Sequence, residues 1–175
     1  MVATDTKLLV LGLGSTLLRD DGIGLLLLRA VEERAEPHWR DRVEFVNAGT
    51  RRLEVLPDLA DRPGLVILSV VEAGAKAGTV HVLTRDQLDR LGVNGSASEL
   101  VAAARRRGEC PDTVYLVGVE PDAVRTGLGV SDPVAKVLHR AVDQAVSLVE
   151  ILLAQTAAEA KNEPDFVFSY RAAEV

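Results

Sequence analysis

One cysteine, Cys110, is all that the 175-residue chain contains, which excludes an internal disulfide framework and any metal site built wholly from thiolates. Aromatic residues are as scarce, at 3%, so a core has to be assembled from Leu, Val, Ile and Ala. Basic residues form no block longer than "RRR" at 105–107, and the formal net charge is −6. An acidic chain without a basic stripe is a poor nucleic-acid binder. No stretch reaches the ~20 consecutive apolar residues of a membrane span. The opening run "KLLVLGLG" (7–14) is too short for the core of a signal peptide and reads instead as a strand. These absences lead to the expectation of a cytoplasmic protein with neither nucleic acid nor membrane as partner.

What is present describes a globular protein: 47% hydrophobic and 26% charged residues. The length suits one domain, expected over 1–155, with a polar C-terminal tail over 156–175. Short apolar runs ended by turn residues predict strands at 7–12, 42–49, 64–71 and 113–119, and the alternating "AGTVHVLT" predicts one more at 77–84. Helices are predicted from Ile23 to about Arg34 and over 96–107, with a short one in 51–59 broken at Pro57. A last helix is expected to be capped by Asp132 with Pro133 in first place. Its apolar positions Val134, Leu138, Ala141, Ala145, Leu148 and Leu152 keep helical spacing. Strands alternating with helices imply a three-layer α/β/α sandwich around a mostly parallel central sheet, with an antiparallel pairing at one edge. The tail carries Phe166, Phe168 and Tyr170 at period two, which places all three on one side of an extended segment. The four consecutive leucines of "GLLLLRAV" (24–31) cover more than one face of a helical turn, which a buried helix explains; the alternative is an exposed Leu26 or Leu27 in a protein-binding patch.

The stretch "LGLGSTLLRDDGIG" (11–24) has the outline of a nucleotide loop but not its chemistry. Gly12 and Gly14 supply two glycines of a dinucleotide fingerprint while Leu17 stands at the third position, and no Lys–Ser/Thr pair follows as a P-loop requires. Asp20 and Asp21 lie just before the helix, where their charge repels a phosphate. In an open parallel sheet the loop after the first strand reaches the carboxyl edge, where ligands bind. The two carboxylates are therefore candidates there for binding a cation or capping the helix. One Asp is enough for a cap.

These residues resemble the opening motif of the hydrogenase maturation proteases, endopeptidases that process nickel–iron hydrogenase large subunits. "NAGTRRLEVLP" (47–57), "GLVILSVVEAGAKAGTV" (64–80), "YLVGVEPD" (115–122) and "GLGVSDPV" (127–134) are similar to further family motifs in the same order. The resemblance implies a partner, the nickel–iron hydrogenase large-subunit precursor, whose nickel is recognised and whose C-terminal extension is removed. It implies no bound cofactor of the chain's own. It places a metal-facing carboxylate at Asp21, and it places Ser69 and Val93 where the family has its two other ligands, an Asp and a His. A hydroxyl is a weak ligand for a divalent transition metal and a valine is none, so activity is in question; the alternative is a catalytically inactive relative that binds in hydrogenase assembly. Glu72 is a possible substitute ligand. Asp20, Asn47, Thr50 and Glu54 are candidates for contact with the substrate, with turn and cap roles as the alternative for the last three. No catalytic residue is assigned. His38, His81 and His139 are expected at surface or structural positions away from Asp21, Ser69 has no evident base partner, and Cys110 has no placed histidine.

Overall fold

The computed structural model describes residues 6–162. Five strands, β1 (Leu8–Leu13), β2 (Val43–Gly49), β3 (Leu65–Val70), β4 (Val80–Thr84) and β5 (Val114–Val119), form one sheet in the order β2-β1-β3-β5-β4. All neighbours run parallel except β4, which pairs antiparallel with β5. β4 thus follows β3 in the chain but lies beyond β5, with the turn at 71–79 spanning the gap. Every residue of β1 and β3 is buried, as continuous apolar runs require in a sheet covered on both faces.

Alternation then sorts the core into two layers. Leu8, Val10, Val66, Leu68, Val117 and Val119 face α1 (Ile23–Glu33) and the long last helix. Leu9, Leu11, Leu65, Ile67 and Leu116 face α2 (Leu56–Leu59) and α4 (Ser96–Arg107), which follows the short α3 (Arg85–Arg90). This is the three-layer sandwich expected from the alternation of strands and helices.

Three boundaries differ from the sequence reading. Pro57 sits in the first turn of α2 and starts it, because proline lacks only an N–H that this turn leaves unused. Ser131, not Asp132, precedes α5 (Asp132–Ala135), and α6 then runs over Leu138–Asn162. Residues 156–162 therefore continue α6 and do not begin a tail. By length and composition the Leu138–Glu159 stretch of α6 would suffice to cross a membrane, yet its stripe of Ala141, Ala145, Leu148 and Leu152 is buried against the sheet. Leu27 is on the buried face of α1 while Leu26 is exposed. Phe166, Phe168 and Tyr170 lie outside the described residues.

α6 is also pinned by polar contacts. Glu150 accepts from Trp39 Nε1 at 2.7 Å and lies 3.2 Å from His38 Nε2. Burial pushes its carboxyl up, but the bonds from Trp39 and His38, and the charges of His38 and Arg42, outweigh this and hold it below the ordinary range. Arg42, just before β2, donates to the Leu153 carbonyl at 2.6 Å. The C-terminal half of α6 is thereby fixed at the amino edge of the sheet, opposite the edge considered next.

Candidate functional site

The chain leaves β1 for β2 on one side and returns to β3 on the other, so the topological switch lies between β1 and β3. A crevice outside the carboxyl ends of such strands is the usual ligand site of an open α/β sheet. The 11–24 stretch is folded into it. Its glycines serve close packing of the chain on itself. Gly14 has φ +127°, and a Cβ there would lie 1.9 Å from the Asp21 carbonyl oxygen. Gly24 sits against the carbonyls of Leu13 and Leu68, where a Cβ would approach to 2.1 and 2.4 Å. The first helix is thus drawn onto β1 and β3, and a 3-10 turn over Arg19–Gly22 lies against the end of β3.

The two adjacent carboxylates have different surroundings. Asp20 is buried and accepts four hydrogen bonds: from the backbone N–H groups of Asp122, Ala123 and Ser131, and from the Ser131 hydroxyl, at 2.6–2.9 Å. Burial alone pushes its carboxyl up, but the bonds from Ser131, Ala123 and Asp122 prevail and hold it below the ordinary carboxylate value. Its own N–H donates to the Ala123 carbonyl at 3.2 Å. Asp20 therefore latches the 120–131 loop to the first loop and has no surface to offer a substrate, contrary to the expected contact role. Ser131 precedes α5 without capping it through its side chain; its hydroxyl is oriented to donate to Asp20.

Asp21 is half-buried, and Oδ2 accepts one bond, from Ser15 N–H at 2.8 Å. Beside it, a shallow cleft of about 300 Å³ is lined by Gly14, Ser15, Thr16, Leu17, Asn47 and Thr50, among others. Asn47 and Thr50 are both exposed there. Glu54 is not in the lining; it is exposed and stands 3.8 Å from Arg51 in its own turn.

Ser69 is wholly buried in β3, and its hydroxyl has no partner among the described residues. Val93 is buried in the core layer beside α4. Glu72 is exposed, with its backbone bridged to Asn94. Among the described residues no three His, Cys, Asp or Glu side chains are grouped so that they could hold a metal ion. The Asp21, Ser69, Glu72 and Val93 positions thus offer carboxylates without a ligand set.

His81 is closer to this edge than its sequence context suggests. Ser69, Gly118 and His81 lie in register across β3, β5 and β4. The space over Gly118 is filled by Val71, whose Cγ2 would be 2.5 Å from an added Cβ. His81 turns instead to the buried Glu120, at 2.9 Å, and Glu120 also accepts from the N–H groups of Ala73 and Gly74. The pair ties the 71–79 turn to β5. Sequence reading missed Glu120, since a glutamate just past a strand ordinarily reads as surface. His139 is exposed on α6.

The comparisons with known proteins agree with this architecture. A family model described as hydrogenase maturation protease matches residues 28–148. The hydrogenase 2 maturation protease of Escherichia coli is 30% identical over 148 residues, which cover 81% of this chain and 89% of that protein. Among solved structures, the E. coli hydrogenase maturating endopeptidase HybD superposes with a TM-score of 0.72 at 29% identity, covering 83% of this chain and 93% of that one. A hydrogenase 2 maturation peptidase from a Thaumarchaeota archaeon gives 0.63 at 25% identity, covering 83% and 99%.

Proposed function

The chain belongs to the hydrogenase maturation protease family, and from that premise we propose that it acts on the large-subunit precursor of a nickel–iron hydrogenase, processing its C-terminal extension at the rim that carries Asp21. The observation that supports this most is the placement of Asp21. It is half-buried at the switch between β1 and β3, beside a cleft whose Asn47 and Thr50 side chains are exposed. A shallow groove edged by amide and hydroxyl groups suits an extended peptide, whose backbone needs both donors and acceptors. Asp21 retains acceptor capacity beyond the single Ser15 bond, so it can orient a water, a peptide N–H or a metal carried by the precursor.

Nickel in the precursor is part of the substrate. Among the described residues none group into a resident site for it: Asp21 is one carboxylate, Ser69 a buried hydroxyl and Val93 apolar. That observation favours a second reading, in which the chain recognises the precursor and does not cut it. The deciding experiment incubates the nickel-loaded precursor with the protein and with Asp21→Ala. Shortening by the wild type, absent with Asp21→Ala, supports the peptidase. Intact precursor that is nevertheless bound supports recognition alone. A precursor neither cut nor bound contradicts both.

A further inference from the structure

The rim carries a second feature that a peptide cleft does not need. Leu17 and Leu18 are 64% and 36% exposed, and Val124 and Leu128 are 44% and 78% exposed. The segments that carry them lie side by side: Gly127 N–H donates to the Leu17 carbonyl at 2.9 Å, Arg19 N–H donates to the Gly127 carbonyl at 3.0 Å, and Leu18 and Gly127 form a parallel bridge. Four large apolar side chains on two bonded segments are a patch, not scattered exposure, and such patches on a soluble protein mark interaction surfaces. The Asp20 latch holds both segments in place without a partner present, so binding would require little ordering of these loops.

Arg19 lies within the patch. It adopts φ +48°, a conformation that L residues rarely hold, and its stem packs under Gly127, where a Cβ would be 3.0 Å from Arg19 Cγ. Its Nε is buried with no partner among the described residues. Nε itself is closed to the outside, but Arg19 as a whole is half-buried and enters no ion pair among the described residues, which leaves the rest of its guanidinium to an anionic group from outside.

We propose that Leu17, Leu18, Val124 and Leu128, with Arg19 among them, are the docking surface for the folded body of the large-subunit precursor: an apolar face that carries a carboxylate opposite Arg19. This rests on the reading above, since the argument for that occupant is continuity: Leu17 belongs both to the patch and to the cleft beside Asp21.

The test measures affinity for purified precursor bearing its extension, by titration calorimetry, for the wild type, Leu17→Glu/Leu128→Glu and Ile151→Glu/Gln155→Glu. The last adds the same two negative charges at exposed positions of α6, outside the patch. Thermal unfolding accompanies each, and Leu128→Glu alone replaces the patch variant if that fails to fold. The expected result is binding weakened at least tenfold by the patch variant and within twofold of wild type for the α6 variant. Equal affinity for all three, or equal weakening by both variants, overturns the proposal while leaving the reading of the Asp21 rim intact. A wild-type dimer that the patch variant converts to monomer overturns it in favour of a second copy. Absence of wild-type binding removes that reading and this proposal together.

Discussion

Asp20 and Asp21 are consecutive in the chain and opposite in circumstance. Around Asp20 the structure is closed: four donors from a distant loop converge on one buried carboxylate. Around Asp21 it is open: one donor, partial exposure and a cleft alongside. A carboxylate whose acceptor capacity is filled by the protein's own backbone has a structural job, whereas one with capacity to spare is available to a ligand. The same rule separates Glu120 and Glu150, both engaged, from the rim. It also accounts for two acidic residues where a helix cap would need only one.

The largest effect should come from collapsing the contrast altogether. Gly14→Ala forces a Cβ onto the Asp21 carbonyl at a backbone angle alanine avoids, and a loss of about 4 kcal/mol of stability is expected in denaturant unfolding. Next is Asp20→Ala, which leaves four donors without an acceptor; about 3 kcal/mol is expected, or a Tm lower by ~6–12 °C in a domain of this size. Acid sharpens this prediction. Because the folded-state carboxyl of Asp20 is held below its ordinary 3.8, its contribution is present above that value and is lost as pH falls through the lowered one. The wild type should lose stability over this acid range more steeply than Asp20→Asn does. The smallest effect is expected from Ser69→Ala, within about 0.5 kcal/mol, because the hydroxyl removed has no bond to lose. Loss of precursor processing or binding in Ser69→Ala would show that Ser69 has a role that its isolated hydroxyl does not reveal.

Much of the scaffold was legible because its signals are local. Strands buried on both faces must be apolar throughout, and β1 and β3 are; α4 occupies the span read from sequence, and the stripe on α6 follows its spacing. α3 was missed because only Leu88 of its six residues is buried, leaving no stripe; the available signal was the capping box of Thr84 and Gln87. The site was less legible because its contacts are distant in sequence. The donors to Asp20 lie 102 to 111 residues away, so nothing in "RDDG" tells which aspartate is enclosed. His81 and Glu120, 39 residues apart, meet through the antiparallel pairing of β4 with β5. The left-handed backbone at Arg19 has no glycine or asparagine to announce it.

The division of labour between the two aspartates is tested most directly on Asp21→Ala, with thermal unfolding and interaction with the large-subunit precursor measured on the same preparation. Removing one half-buried acceptor should lower stability by only about 1 kcal/mol, while cutting of the precursor, or its binding where none is cut, should fall at least tenfold. A variant that unfolds as readily as Asp20→Ala, or one that handles the precursor as well as the wild type does, would contradict the account.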